Sequence, residues 1–523
     1  MRYINSIFQK LCSVGGWAQL FRLALLIRFL RHFFTFKRLF NGMLKDKAWK
    51  WIDEHKDEFI EVADKIWQYA ELGLVESKSS KLIAEKLEKH GFKVQLGVAN
   101  MPTAIVAEWG SGKPVIGFQG EYDALPGISN KISSVQDPLV KGAPGHGCGH
   151  NVHGATALAV VVGLRYLLEE EGLPGTIKFF GTPAEENYGG KVFMARDGYY
   201  DGLDACLSHH PSSMNAATLK SSTAVNGVKF IYRGKTAHAA GNPEMGRSAL
   251  DAIELMNIGV NYLREHVISD ARIHYIIEEG GGQPNVVPDY ARSWYYIRAP
   301  EREQLDPIYK RIVKIAEGAA LMTETELEVL FLDALYNIIP NKPLAELVVK
   351  NMRAVGTPEW SAEELAFAKE IASNFSVDAK MDALKRNKIP NYRKYRDVHL
   401  MTDILDPLGD GETSPGSSDV GDISWICPTI EFGTTSAVLG APGHSWAFVA
   451  TAGSSIGHKS LVFAAKTMAG AALELLTDEK ILAEAKADHL ERLDGRTYTT
   501  PLPEGVQVPL AIAEENWKKS PKQ

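Results

Sequence analysis

A chain of 523 residues is longer than one hydrophobic core usually organises, so two or more domains are expected. Hydrophobic residues at 45% and charged residues at 23% are the proportions of a soluble globular protein, and a formal net charge of -7 excludes a general attraction for nucleic acid. Cys12, Cys148, Cys206 and Cys427 are too widely spaced to suggest a disulfide framework, which points to a reducing, cytoplasmic compartment.

Residues 1–42 carry Arg2, Lys10, Arg22, Arg28, Arg31, Lys37 and Arg38 with no acidic residue, among many aromatic and aliphatic side chains. Their longest uncharged apolar run is too short to span a bilayer. Arg22, Arg28 and Arg31 interleaved with Leu23, Leu26, Phe29 and Leu30 read as a basic amphipathic helix in peripheral contact with an anionic membrane. A mis-assigned start is the alternative, because Met43 is followed at once by an ordinary soluble amphipathic segment, residues 49–72.

From Pro114 the pattern alternates: extended at 115–119, helical at 154–171, extended at 176–181 and again at 205–208. Such alternation predicts a sheet wrapped by helices, with ligands gathered beyond the carboxyl ends of the strands. Between about Thr223 and Asp333 the order changes to strand (227–232), helix (247–266), two strands (272–278 and 291–298), helix (303–321) and strand (326–332). That βαββαβ order is the split ferredoxin-like arrangement, expected here as an insertion. The domain organisation is therefore a basic extension at 1–42, a catalytic domain in two parts at 43–222 and 335–523, and an inserted lid or dimerisation domain at 223–334. The polar stretch 374–418 reads as a loop excursion, and a last strong helix is expected at 460–476.

The chemistry-bearing residues fall where the strands end. Cys148 and His150 sit two residues apart in a Gly-rich turn before a helix, where thiolate and imidazole can converge on one cation; a buried cysteine beside a capping histidine also fits. Glu185 and Glu186 follow the 176–181 strand, so one could bind metal while its neighbour faces the bound water, although adjacent acids also occur on solvated surfaces. His209 and His210 close the next strand, and His444 lies in the Gly-rich run 440–446. Each histidine alone could be a satisfied polar residue, but together Cys148, His150, Glu186, His210 and His444 supply five metal donors on strand ends or Gly-rich loops.

In order along the chain, these features resemble the aminoacylase and carboxypeptidase group of dinuclear metallopeptidases, which includes plant auxin-conjugate hydrolases. The resemblance is carried by Gly120-Glu121-Tyr122-Asp123-Ala124-Leu125, the turn 145–151, Glu185-Glu186, Gly234-Lys235-Thr236-Ala237-His238-Ala239-Ala240, Pro284-Asn285-Val286-Val287, and segments 319–326 and 418–422. It implies a metal-dependent amidohydrolase with two divalent ions, manganese or zinc, held by Cys148 as a bridge with His150, Glu186, His210 and His444. It further implies Glu185 as general base and Asp123 as the carboxylate that orients a ligand imidazole, a residue that otherwise reads as a turn former. The implied substrate is an amide beside a small carboxylate, such as p-aminobenzoyl-glutamate or a related N-acyl amino acid.

His238 resembles the histidine a dimer partner contributes to the scissile carbonyl, and Asn285 the asparagine that binds substrate oxygen. Arg298 is a candidate clamp for the substrate carboxylate, with a solvated strand-end charge as the alternative. A homodimer, or a heteromer with a related subunit, is expected through the inserted domain. An aminoacylase or dipeptidase, or a partner subunit that keeps the fold without catalysis, stays open. Two departures stand out: Glu121 occupies the place of a metal-binding histidine in classical relatives, and His209 competes with His210, which is preferred for its following Pro211.

Overall fold

The computed structural model describes residues 17–523. The reading of residues 1–42 therefore falls partly outside the described residues. From Trp17 the backbone is helical, and one helix, α1 (Trp17–Tyr69), runs through Met43 without a break. Beyond that point its inner face buries Leu44, Ala48, Ile52, Phe59, Val62 and Ile66, apolar positions three, four and seven apart that form one stripe.

The chain continues through α2 (Ser77–Lys89), β1 (Lys93–Leu96), β2 (Ile105–Ser111), β3 (Val115–Gly120), α3 (His150–Glu171), β4 (Gly175–Gly181), α4 (Gly190–Arg196), β5 (Ala205–Ser212) and β6 (Ala216–Ala217). It then crosses to β7 (Ala224–Arg233), α5 (Ala249–Leu263), β8 (Arg272–Glu279), β9 (Tyr290–Ala299), α6 (Arg302–Thr323) and β10 (Glu326–Leu335). The remainder is α7 (Lys342–Val355), α8 (Ala362–Ala372), α9 (Val377–Arg386), α10 (Val420–Ser424), β11 (Thr429–Thr435), α11 (Trp446–Ala452), α12 (Ser455–Thr477), α13 (Glu479–Leu493) and α14 (Leu510–Lys519).

Two sheets result. The larger has the order β1-β2-β4-β3-β5-β11-β6 and is mixed: β4, β3, β5 and β11 run parallel, while β2 against β1 and β4, and β6 against β11, are antiparallel. The smaller, β10-β7-β9-β8, is wholly antiparallel and carries α5 and α6, so the βαββαβ order is present. This is the mixed α/β architecture with a second ferredoxin-like unit that the alternation of patterns predicts.

The main core lies between the large sheet and helices α1, α3 and α12. By length and composition α3 and α12 could each cross a membrane, but 89% and 83% of their apolar windows are buried inside the fold, which marks them as core helices. The stretch 374–418 departs from the loop expectation. Ser376 caps α9, its Oγ accepting from Ala379 N at 3.2 Å, and residues 404–413 bridge to Asn215, Thr218 and Ser221. Leu384, Ile389, Tyr395, Met401 and Leu405 form a small separate core there, too irregularly spaced to give a period. The helices α13 and α14, past the last predicted element, were likewise not foreseen.

Candidate metal centre

The four parallel strands deliver their carboxyl ends to one place. Glu121 and Asp123 follow β3, Glu185 and Glu186 follow β4, and His209 and His210 lie on β5. Between β3 and α3 the turn 145–149 brings in Cys148. It requires glycine at its end: Gly149 has φ +80°, and a Cβ there would lie 2.7 Å from Pro211. His150 then opens α3.

Asp123, fully buried, uses both oxygens: Oδ1 accepts from His150 Nδ1 at 2.8 Å and Oδ2 from the backbone N–H of Glu186 at 2.9 Å. His210 is fixed in the same sense, its Nδ1 donating to the carbonyl of Pro211 at 2.9 Å. Both imidazoles thus carry their proton on Nδ1 and turn Nε2 into the site, the tautomer a metal ligand needs. His210 Nε2 stands 3.4 Å from Cys148 Sγ, and His444 Nε2 stands 3.4 Å from Glu186 Oε2. Sγ of Cys148 groups with His150 and His210 on one side and with Glu186 and His444 on the other, each set of donor atoms lying within 4.8 Å of one another. His209 faces away: its Nε2 meets Thr434 Oγ1 at 2.7 Å, because successive strand residues point to opposite faces.

The donor atoms fit divalent cations. His150 Nε2, Glu186 Oε1 and Glu121 Oε2 are buried without any hydrogen-bond partner, an arrangement that is costly unless a cation takes their lone pairs. The combination of thiolate, imidazole and carboxylate suits a transition-metal site. Burial, reinforced by Glu186, pushes the Cys148 thiol well above its ordinary range, and burial raises Glu186 to about 7. Burial, together with Glu121 and Glu186, holds the Glu185 carboxyl well above the usual carboxylate range. Burial lowers the half-exposed His444.

Three expected residues lie apart from this cluster. His238 and Asn285 sit together at an exposed edge of the inserted unit, where Ala239 N donates to the Asn285 carbonyl at 3.0 Å and Gly241 N to His238 Nδ1 at 3.0 Å. Arg298, on β9, donates to Ser417 Oγ at 2.6 Å and stacks over Tyr296.

Several groups around the cluster escaped the sequence reading. His153 accepts from Glu121 N at 2.6 Å and so donates from Nε2 to Ser208 Oγ at 3.0 Å; burial holds it neutral, at about 3. Buried Lys191 bridges Glu121 and Asp419, at 2.6 Å to each. Glu76, at the start of α2, accepts from Ala184 N. None belongs to a spaced motif; only the Gly-Gly pair before Lys191 hinted at a constrained loop there.

Fold and site together define a hydrolase of amide bonds. Residues 117–473 match Peptidase family M20/M25/M40, and the chain belongs to that family. It is 39% identical over 466 residues to one of the subunits of p-aminobenzoyl-glutamate hydrolase from Escherichia coli (strain K12), covering 87% of this chain and 96% of that one. It is 33% identical over 327 residues to Xaa-Arg dipeptidase of Mus musculus, covering 60% of this chain and 72% of that one. A dinuclear metal-binding peptidase of family M20 from Bacillus subtilis shares the fold, with a TM-score of 0.50, 19% identity and coverage of 81% of this chain and 99% of that one.

Proposed function

We propose that this protein hydrolyses the amide bond of N-acyl amino acids that carry a free carboxylate, of the p-aminobenzoyl-glutamate type, with two divalent ions held by Cys148, His150, Glu186, His210 and His444. The observation that carries this reading is the meeting of these five donors, from separate segments of the chain, beside Glu185, which places an oxygen within 4.8 Å of donor atoms of His150 and Glu121. When bound, the two cations lower the pKa of a water and polarise the scissile carbonyl. Cys148 favours zinc, while the carboxylates also accommodate manganese.

Glu185 takes the proton from the attacking water and hands it to the leaving amine; desolvation makes its carboxylate a stronger base than an exposed one. Asp123 fixes the tautomer of His150 and the position of Glu186. His238 and Asn285 are exposed and outside the cluster of their own chain, which supports delivery of both to the active site of a second subunit, identical or related. The Escherichia coli relative is by name one subunit of its enzyme, which favours a heteromer. Arg298 is the candidate grip on the substrate carboxylate, once Ser417 releases it. A cytoplasmic location fits the reduced state of Cys148.

A hydrolysis panel of p-aminobenzoyl-glutamate, N-acyl amino acids and dipeptides, run on the purified chain with zinc or manganese, tests the assignment. Turnover of the first class is the expected result. Preference for dipeptides would move the chain toward the Xaa-Arg dipeptidase type. Bound metal without turnover of any of them, alone or with a partner subunit, would leave a non-catalytic subunit as the reading.

A further inference from the structure

Glu121 has no task among the five donors, yet it is fully buried at the end of β3. Its two oxygens face different ways. Oε1 accepts from Lys191 Nζ at 2.6 Å, and Lys191 is anchored in turn by Asp419, whose Oδ1 accepts from Nζ at 2.6 Å and Oδ2 from the Lys191 backbone N–H at 3.0 Å. With Oε1 held, Oε2 points the other way and stops 3.1 Å from His150 Nε2. Neither of these two atoms has a hydrogen-bond partner.

His150 gives its Nδ1 proton to Asp123, so a neutral His150 turns a lone pair onto a carboxylate lone pair at contact distance in a dry interior. Without a cation, a proton on Nε2 makes this contact an ion pair that lacks hydrogen-bond geometry. The same separation suits two ligands of one cation: two donors each about 2.0–2.2 Å from one ion are separated by roughly 3 Å when they subtend near a right angle at it. Glu185 also places an oxygen within 4.8 Å of both atoms.

We propose that Glu121 is an additional metal ligand, sharing the ion that His150 binds, and that Lys191 is the positioning residue that turns the free oxygen of Glu121 toward it. This rests on the dinuclear reading above. It gives the ion at His150 one oxygen donor beside the sulfur and two nitrogens, where the other ion has sulfur, nitrogen and the oxygen of Glu186.

The test is titration of the metal-free protein with Zn²⁺ and Mn²⁺, followed by calorimetry, together with the visible spectrum of the Co²⁺-loaded form. Glu121→Gln is expected to weaken one of the two binding steps by about tenfold to a hundredfold and to shift the cobalt bands. Glu121→Asp keeps a charge for Lys191 but is too short to reach both Lys191 and the ion, so it should fold and weaken the same step. Either variant, folded, with both steps at wild-type affinity and an unchanged cobalt spectrum, overturns the inference. The wild-type titration is the control for the underlying reading: if the unaltered chain takes up fewer than two ions, the dinuclear assignment fails instead. A crystal of the zinc-loaded wild-type chain, with ions located by anomalous scattering, decides without any variant. An ion in coordination contact with Glu121 Oε2 supports the inference, and ions only beyond hydrogen-bond distance from it overturn it.

Discussion

The buried carboxyl of Glu76 accepts the backbone N–H of Ala184 at 2.9 Å, at a residue whose φ of +61° is unusual for alanine and which immediately precedes Glu185 and Glu186. The other oxygen of Glu76 accepts from Thr103 Oγ1 at 2.7 Å. A left-handed alanine costs on the order of 1 kcal/mol, and it persists where surrounding contacts determine the conformation. Glu76 therefore holds the strained turn that aims both acids into the site.

Glu76→Ala should let that turn relax and misplace Glu185, lowering kcat by roughly tenfold to a hundredfold, the size expected for a shift of about 1 Å in a catalytic group. Glu76→Gln should retain most activity, because burial raises the Glu76 carboxyl to about 8 and the neutral amide resembles the protonated acid. Steady-state kinetics on both variants check this. Equal activity in Glu76→Ala and the wild type would remove Glu76 from the argument.

The proposed roles of the adjacent acids are separable by substitutions that remove the charge and keep the size. Glu185→Gln keeps size and hydrogen bonding but removes the base, so metal content should stay full while turnover falls by about a hundredfold to ten-thousandfold. Glu186→Gln replaces a carboxylate ligand with a poorer donor, so metal binding should weaken and added metal should restore part of the activity. Metal stoichiometry and turnover on both variants decide, and the reverse pattern would exchange the two roles.

Much of this was legible in the sequence because it is local. The period-2 and period-3.6 segments of the inserted unit are short, clean and separated by turns, and all six of its elements form where the pattern placed them. The five residues that converge at the candidate centre were legible because each sits in a turn or at a strand end with an unusual local composition. Lys191 and Glu76 were not, since their importance comes from long-range packing: Lys191 meets a carboxylate 70 residues before it and another 228 after it. Only strand order brings those three together. The separate small core around Leu384 and Tyr395 was hidden for the same reason, as its apolar residues answer to distant neighbours such as Leu439 rather than to a helix period.

Removal of residues 1–42 should leave hydrolysis intact. Among the residues whose side chains are described, the buried apolar positions of α1 begin at Leu44, and Lys45 pairs with Glu474 inside the fold. Besides helical backbone bonds of α1, the truncation removes one described side-chain hydrogen bond, from Thr477 Oγ1 to Asn41 Oδ1 at 3.1 Å. The same truncation should abolish binding to vesicles containing anionic lipid if the basic segment is a membrane contact. Kinetics and vesicle co-sedimentation measure the two effects; a folded but inactive truncation contradicts the first, and undiminished sedimentation the second.

Asp422 should lower stability as pH rises from about 4 to about 7. It is fully buried; its Oδ2 accepts from Tyr336 N at 3.2 Å and its Oδ1 from Tyr498 Oη at 2.9 Å, and among the described residues no cation forms an ion pair with it. Burial raises its carboxyl to about 7, above the 3.8 of an exposed aspartate. The folded chain thus binds this proton more tightly than the unfolded chain. Its contribution is fully present below about pH 4 and is lost progressively up to about pH 7, with little further change above that. A shift of that size corresponds to a few kcal/mol. Asn at this position reproduces the protonated acid, accepting from Tyr336 N through Oδ1 and donating to Tyr498 Oη through Nδ2. Asp422→Asn should therefore match the wild type near pH 4, exceed it increasingly up to about pH 7, and keep that advantage at pH 8. Urea denaturation of both chains across that range gives the comparison, made on metal-free protein so that cation binding does not add its own pH dependence. Parallel profiles for the two chains would show that Asp422 titrates alike in the folded and unfolded states, and the assignment would be wrong.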